Sequence, residues 1–264
     1  MDNWRLIRLQ THRACENMAI DEAVLTARIK GVVPNTLRFY RWNPSAVSIG
    51  KFQKVENEIH LSNCRSQCVD VVRRITGGGA VYHDFEDEIT YSVVVNKQEL
   101  DASDITTVYS ELYAGLTKAL RILGIVADFN EGDAKACPNL TVKGRKISGS
   151  AQTHKAGVVL QHGTLLLSVD FDEMFNLLRV PWAKTCIEVI NVASSRITSV
   201  DKELERQISF EEATRALAEG FSQALNVKLT EGEMTPYELQ LAGKLQKEKY
   251  SKDDWTFCGK TALG

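Results

Sequence analysis

A chain of 264 residues can fold as one large domain, or one large and one small, around a substantial core. Its 44% apolar and 25% charged residues are an ordinary globular composition, and a net charge of −2 excludes a general pull toward nucleic acid or membrane, so any anion site must be local. No long uncharged apolar run occurs, and Met1-Asp2-Asn3-Trp4-Arg5 leads straight into a strand-like segment, which predicts a cytoplasmic protein.

Residues 4–9 read as the opening strand. Residues 15–29 read as a helix with Met18, Ala19, Ala23, Val24 and Ala27 inward and with Asp21 and Glu22 facing water. Residues 37–40 and 46–49 read as a hairpin pair around Arg41-Trp42-Asn43-Pro44, followed by Gly50-Lys51-Phe52-Gln53 at a strand end. The six cysteines, Cys15, Cys64, Cys68, Cys137, Cys186 and Cys258, show no disulfide-framework spacing, as in a reducing compartment. Cys64 and Cys68 have no second pair to complete a metal site and read as two thiols one helical turn apart.

The central stretch is Arg73-Arg74-Ile75-Thr76-Gly77-Gly78-Gly79-Ala80-Val81-Tyr82-His83-Asp84. With residues 69–72 and 88–95 as strands on either side, it reads as the turn of a hairpin within one sheet. Three glycines remove every Cβ from the path and leave backbone N–H groups open to a ligand. The paired arginines suit a phosphate or carboxylate. The run fits neither a P-loop nor a dinucleotide fingerprint, and a plain glycine-rich turn with solvated arginines is its bland alternative.

Downstream, residues 104–123 form an amphipathic helix stopped by Gly124, and residues 125–129 a strand leading into the polar loop 130–138. Residues 140–152 read as a hairpin turning at Lys143-Gly144, with Lys146 on the returning strand beside small residues. There its ammonium can reach a phosphate or carbonyl oxygen, or simply be solvated. Residues 158–170 are a buried strand carrying His162, by default a satisfied core histidine. A helix follows from Asp172 with Phe175 and Leu178 as anchors, then a polar connector at 194–200. Next come a helix opened by Ser209-Phe210-Glu211-Glu212 and a last exposed helix at 235–250. The mixture predicts an α+β fold with mixed or antiparallel sheets packed with helices.

RRITGGGAVYHD, EITYSVVV, GRKISGSAQ and QHGTLLLSVD, in that order, resemble the lipoate protein ligase and octanoyltransferase family, whose catalytic fold is shared with biotin protein ligases. Residues 39–44 and 48–53, and the closing Lys249-Tyr250-Ser251 with Asp254-Trp255, extend the resemblance over nearly the whole chain. It implies attachment of a lipoyl or octanoyl group, by an amide, to a lysine of a lipoyl carrier domain, such as those of 2-oxoacid dehydrogenase E2 or the glycine cleavage H protein. It further implies a catalytic domain over residues 1–230 and a short C-terminal helical extension over 231–264.

Carried onto this chain, Gly77, Gly78 and Gly79 would line the acyl tunnel, with Arg73 and His83 flanking it and His162 closing it. Lys146 falls on the lysine of the family's KxxGSA motif and would contact the activated acyl group, with Ser148, Gly149 and Ala151 beside it. Two routes of activation are open. The ligase route, favoured by the full GGG followed by Ala80-Val81-Tyr82-His83-Asp84, uses ATP and Mg2+ to make an acyl adenylate. The ligases often use a further small domain, which here would be missing or come from a separate accessory subunit. The transferase route takes octanoyl from acyl carrier protein onto Cys137 and needs no cofactor. Pro138-Asn139-Leu140 stands where ligases commonly have Asn-Asp-Leu, so the metal ligands are undefined. A relative that binds lipoylated domains without turnover is disfavoured by the presence of both Lys146 and GGG.

Overall fold

The strand-forming runs sort into two sheets in the computed structural model, which describes residues 2–132, 137–180, 183 and 185–260. In chain order the elements begin with β1 (Asp2–His12), α1 (Ala14–Ile29), β2 (Thr36–Trp42), β3 (Ala46–Ile49), the short helices α2 (Val55–Glu58) and α3 (Leu61–Ser66), β4 (Asp70–Arg73), β5 (Val81–His83) and β6 (Glu88–Asn96). They continue with α4 (Ile105–Ile122), β7 (Asp128–Asn130), β8 (Asn139–Val142), β9 (Arg145–Lys155), β10 (Val158–Leu166), α5 (Phe171–Leu177), α6 (Cys186–Arg196), α7 (Val200–Leu204), α8 (Phe210–Ala224), β11 (Val227–Glu231), α9 (Pro236–Leu245) and α10 (Asp253–Cys258). One sheet has the order β11-β1-β2-β6-β10-β9-β8-β7 and the other β4-β3-β5. Parallel and antiparallel pairs coexist, so the mixed α+β class expected from the sequence is found.

Alternation along the central strands decides what each face touches. On β6, Ile89, Tyr91, Val93 and Val95 join the core that contains Leu112, Leu116 and Phe221 of α4 and α8. Thr90, Ser92 and Val94 turn the other way, toward α1 and the residues described below. β2 divides likewise, with Leu37 and Phe39 in the first core and Tyr40 and Trp42 in the second. Fully burying each such large apolar side chain stabilises the fold by roughly 1.5–3 kcal/mol. α8 starts where Ser209 accepts the Glu212 amide, as its capping spacing predicts.

Several sequence expectations are corrected. β2 and β3 lie in different sheets, so residues 37–49 are not a hairpin. The glycine run joins β4 to β5, which are separated by β3, and β6 belongs to the other sheet, so the run is a crossover loop rather than a hairpin turn. The strand after α4 is confined to β7, and the expected polar connector begins inside α6. The closing helix is not simply exposed: Ala242, Leu245, Tyr250 and Trp255 pack into the α1 core. Among the described residues, no helix is long and apolar enough to cross a membrane.

Candidate functional site

The loop from Arg74 to Ala80 runs against the start of the loop after β3. Arg74 N–H donates to Ile49 O (2.9 Å) and Lys51 N–H to Thr76 O (2.8 Å). A Cβ on Gly50 would stand 2.1 Å from Gly78 O, so only glycine permits this backbone crossing. Gly78 itself has φ +87°, a left-handed conformation that glycine adopts without steric cost. A Cβ there would lie 3.5 Å from Arg74 Nη2, 3.7 Å from Ala151 Cβ and 3.9 Å from Cys137 Sγ.

These atoms border a cavity of about 720 Å³ between the two sheets. Of the residues singled out from the sequence, Gly78, Gly79, His83, Cys137, Lys146, Gly149, Ala151 and His162 line it. Gly77 and Ser148 do not; the Ser148 hydroxyl is buried without a partner. Arg73 does not flank the cavity either, which corrects its expected role. Its guanidinium donates to the carbonyls of Gly50, Lys51 and Gln53 and to those of Trp255 and Thr256, fastening the α10 segment to the loop after β3. β4 ends at Arg73, and the next residue, Arg74, opens the glycine loop and is the one at the cavity.

Lys146 and Gly149 share one strand, β9, and the lysine's end folds over the glycine: a Cβ on Gly149 would sit 2.7 Å from Nζ. Although the residue as a whole is exposed, the protein around the ammonium lowers its pKa below the ordinary lysine value. A negative charge at Cys137 acts on it in the opposite direction. Cys137 is itself exposed, on the loop before β8.

Behind the cavity wall lies a buried polar network that the sequence did not disclose. Asp21, 1% exposed rather than facing water, accepts from Arg38 Nη1 (2.9 Å), Tyr40 Oη (2.9 Å), Ser92 Oγ (2.9 Å) and His162 Nδ1 (2.9 Å). Burial pushes its carboxyl up, but the His162 hydrogen bond and the Arg38 charge outweigh burial and hold it below the usual range. Burial lowers the His162 pKa, with Asp21 opposing, so the imidazole is neutral at pH 7 and donates from Nδ1. The other histidine, His83, lies against Trp42 with ring centroids 4.1 Å apart and bonds Glu88 Oε1 through Nδ1 (2.7 Å). Glu22, also expected in water, instead pairs with Lys249 Nζ at 2.7 Å. The available signal was alternation: Arg38 and Tyr40 on β2, and Glu88, Thr90 and Ser92 on β6, are polar residues at every second position of otherwise buried strands.

Among the described residues, no three His, Cys, Asp or Glu side chains are grouped to hold a metal, and the described cavity lining carries no carboxylate.

A sequence model of the lipoyl protein ligase A/B catalytic domain matches residues 13–222. The chain is 40% identical over 270 residues to the octanoyltransferase LipM of Symbiobacterium thermophilum, covering 96% of this chain and 97% of that protein. It is 37% identical over 274 residues to the octanoyltransferase LipM of Brevibacillus brevis, covering 97% and 99%. Among solved structures it is similar to the bipartite lipoate protein ligase of Thermoplasma acidophilum, described with its E2 lipoyl domain, at TM-score 0.84 and 31% identity over 97% of each chain. Lipoate-protein ligase A bound with ATP gives TM-score 0.84 and 30% identity over 97% of this chain and 99% of that one.

Proposed function

The chain belongs to the lipoyl protein ligase A/B catalytic-domain family, and within that family we propose that it is an octanoyltransferase that moves octanoyl from acyl carrier protein to a lysine of a lipoyl domain through a thioester on Cys137. This reverses the order in which the sequence ranked the two routes. The observation that carries the reading is the meeting of Cys137 and Lys146 at one cavity, with Gly78 clearing the space beside the sulfur. The names of the relatives at 36–40% identity support it.

In the first step the Cys137 thiolate attacks the octanoyl thioester carbonyl. The carrier's thiolate leaves, and the octanoyl group stays on Cys137. In the second, the neutral ε-amine of the acceptor lysine attacks the new thioester, the amide forms, the Cys137 thiolate departs and the amine loses a proton to solvent. Both tetrahedral intermediates carry an oxyanion, and the Lys146 ammonium is a cation at the same cavity that stabilises it. The Gly78–Gly79 backbone leaves room for the acyl chain, with Ala151 opposite and His83 and His162 closing the wall.

The ligase is the competing reading because two similar structures are lipoate protein ligases, one with ATP bound. Mg2+ beside a nucleotide phosphate is held by carboxylate oxygens, and the described lining offers none, so these residues do not fit that pair. A donor already activated as a thioester also leaves the expected accessory subunit without a role. Transfer to a lipoyl domain tests the reading: octanoyl-acyl carrier protein without ATP should modify the domain, and octanoate with ATP and Mg2+ should not. The reverse result overturns it.

A further inference from the structure

Arg74 is 5% exposed, and its five guanidinium N–H groups all meet neutral oxygens. Nη2 holds the Gly77 and Gly79 carbonyls at 2.9 Å each, Nη1 holds Ser48 O and Oγ at 2.8 Å, and Nε holds Thr76 Oγ1 at 3.3 Å. No carboxylate touches it among the described residues. Its counter-charges are delivered at a distance through two chains of the same construction. Ser48 Oγ, having accepted from Arg74, donates to His83 Nε2 (2.7 Å), and His83 Nδ1 donates to Glu88 (2.7 Å). Thr76 Oγ1 donates to His162 Nε2 (2.8 Å), and His162 Nδ1 donates to Asp21 (2.9 Å). Arginine, hydroxyl, imidazole and carboxylate follow in the same order in both.

We propose that these two acid–histidine–hydroxyl relays are positioning devices for the acyl site, which hold Arg74 so that it fixes the glycine loop and leaves its positive charge un-neutralised beside Cys137. The inference rests on the acyl-transfer reading above and deepens it. A carboxylate placed directly on Arg74 would take two of its five donors in a fork and cancel its charge, leaving three for the five oxygens it now holds. The relays keep the anions one hydroxyl and one imidazole away. Chains of hydrogen bonds polarise one another in the low-dielectric interior, so each link orients the next. Since the peptide unit is planar and trans, fixing the Gly77 and Gly79 carbonyls toward Arg74 turns the N–H groups of Gly78 and Ala80 away from it. Burial lowers the pKa of Arg74 to about 10, with Tyr40 and then Cys137 opposing that shift, so the guanidinium is cationic at neutral pH.

The test compares the parent protein with Thr76→Val, Thr76→Ser and Ser48→Ala, measuring octanoate affinity by calorimetry and octanoyl loading of Cys137 from octanoyl-acyl carrier protein. Thr76→Val and Ser48→Ala should each lower both by about tenfold or more, since displacement of positioning groups costs up to ~10²-fold. Thr76→Ser, which keeps the hydroxyl and loses only a methyl, should match the parent. If Thr76→Val performs as the parent in both measurements, or if Thr76→Ser falls as far as Thr76→Val, the relays are structural only and the proposal is overturned. A parent that binds octanoate in this pattern but never loads Cys137 overturns the transferase reading and leaves the positioning role standing. Should Thr76→Val fail to fold, Ser48→Ala carries the same test on the other arm.

Discussion

The end of Lys146 occupies the space that a side chain on Gly149 would need, Nζ lying 2.7 Å from the position of a Cβ there. The contact falls on the tip of a flexible side chain, so Gly149→Ala should fold normally and push the ammonium aside. Loss of one electrostatic contact at an oxyanion costs roughly 10²-fold or more in rate. Gly149→Ala is therefore expected to retain its thermal midpoint and lose transfer by about that factor; unchanged turnover would show that the lysine's position does not matter.

Lys146→Ala removes the ammonium altogether. Its expected effect is a fall in kcat of ~10²-fold or more with the fold intact, and Lys146→Arg should rescue it poorly because a planar fork does not replace a point charge. Steady-state kinetics with octanoyl-acyl carrier protein and a lipoyl domain, alongside circular dichroism, checks both statements.

Gly78→Val introduces a β-branched residue at φ +87° and a side chain facing Ala151 and Cys137. The backbone conformation alone costs about 1–3 kcal/mol for a non-glycine residue. The variant should unfold at lower denaturant than the parent yet remain folded in buffer, and calorimetry should find no octanoate binding. Affinity equal to the parent's would make the triple glycine a connector and nothing more.

Acid should destabilise the protein through the His162–Asp21 pair. Burial lowers the His162 pKa below its ordinary 6.5, so as pH falls through that value the unfolded chain takes up the proton first and stability drops until the folded pKa is reached. The Asp21 carboxyl, held below its ordinary 3.8, adds stability that is lost at lower pH still. The stability gap between the parent and His162→Gln, read from urea midpoints, should therefore be smaller at pH 5 than at pH 7. An equal gap at both would contradict the assignment of this titration to His162.

The sequence carried the faces of the elements better than their partners. Buried apolar runs marked β6 and β10 as strands, and the small residues around Lys146 marked an open side of β9. Pairing was another matter: residues 37–49 look like two strands across a tight turn, and nothing local says that β2 and β3 enter different sheets. The two arginines of β4 and its loop were equally plausible by charge, and only the surrounding carbonyls separate the fastening Arg73 from the cavity's Arg74. Asp21 stands three residues after Met18 and four before Leu25, on the apolar stripe of α1. A carboxylate in that register signals a buried hub, but the donors that meet it come from β2, β6 and β10, far away in sequence.

The central claim is that acyl transfer passes through Cys137, and intact-protein mass spectrometry after incubation with octanoyl-acyl carrier protein tests it most directly. The account predicts one added octanoyl mass that maps to Cys137, is removed by hydroxylamine and is absent from Cys137→Ser, which should also fail to modify a lipoyl domain. A Cys137→Ser protein that modifies the domain at the parent rate, or an octanoyl group that never appears on Cys137 during turnover, would contradict it.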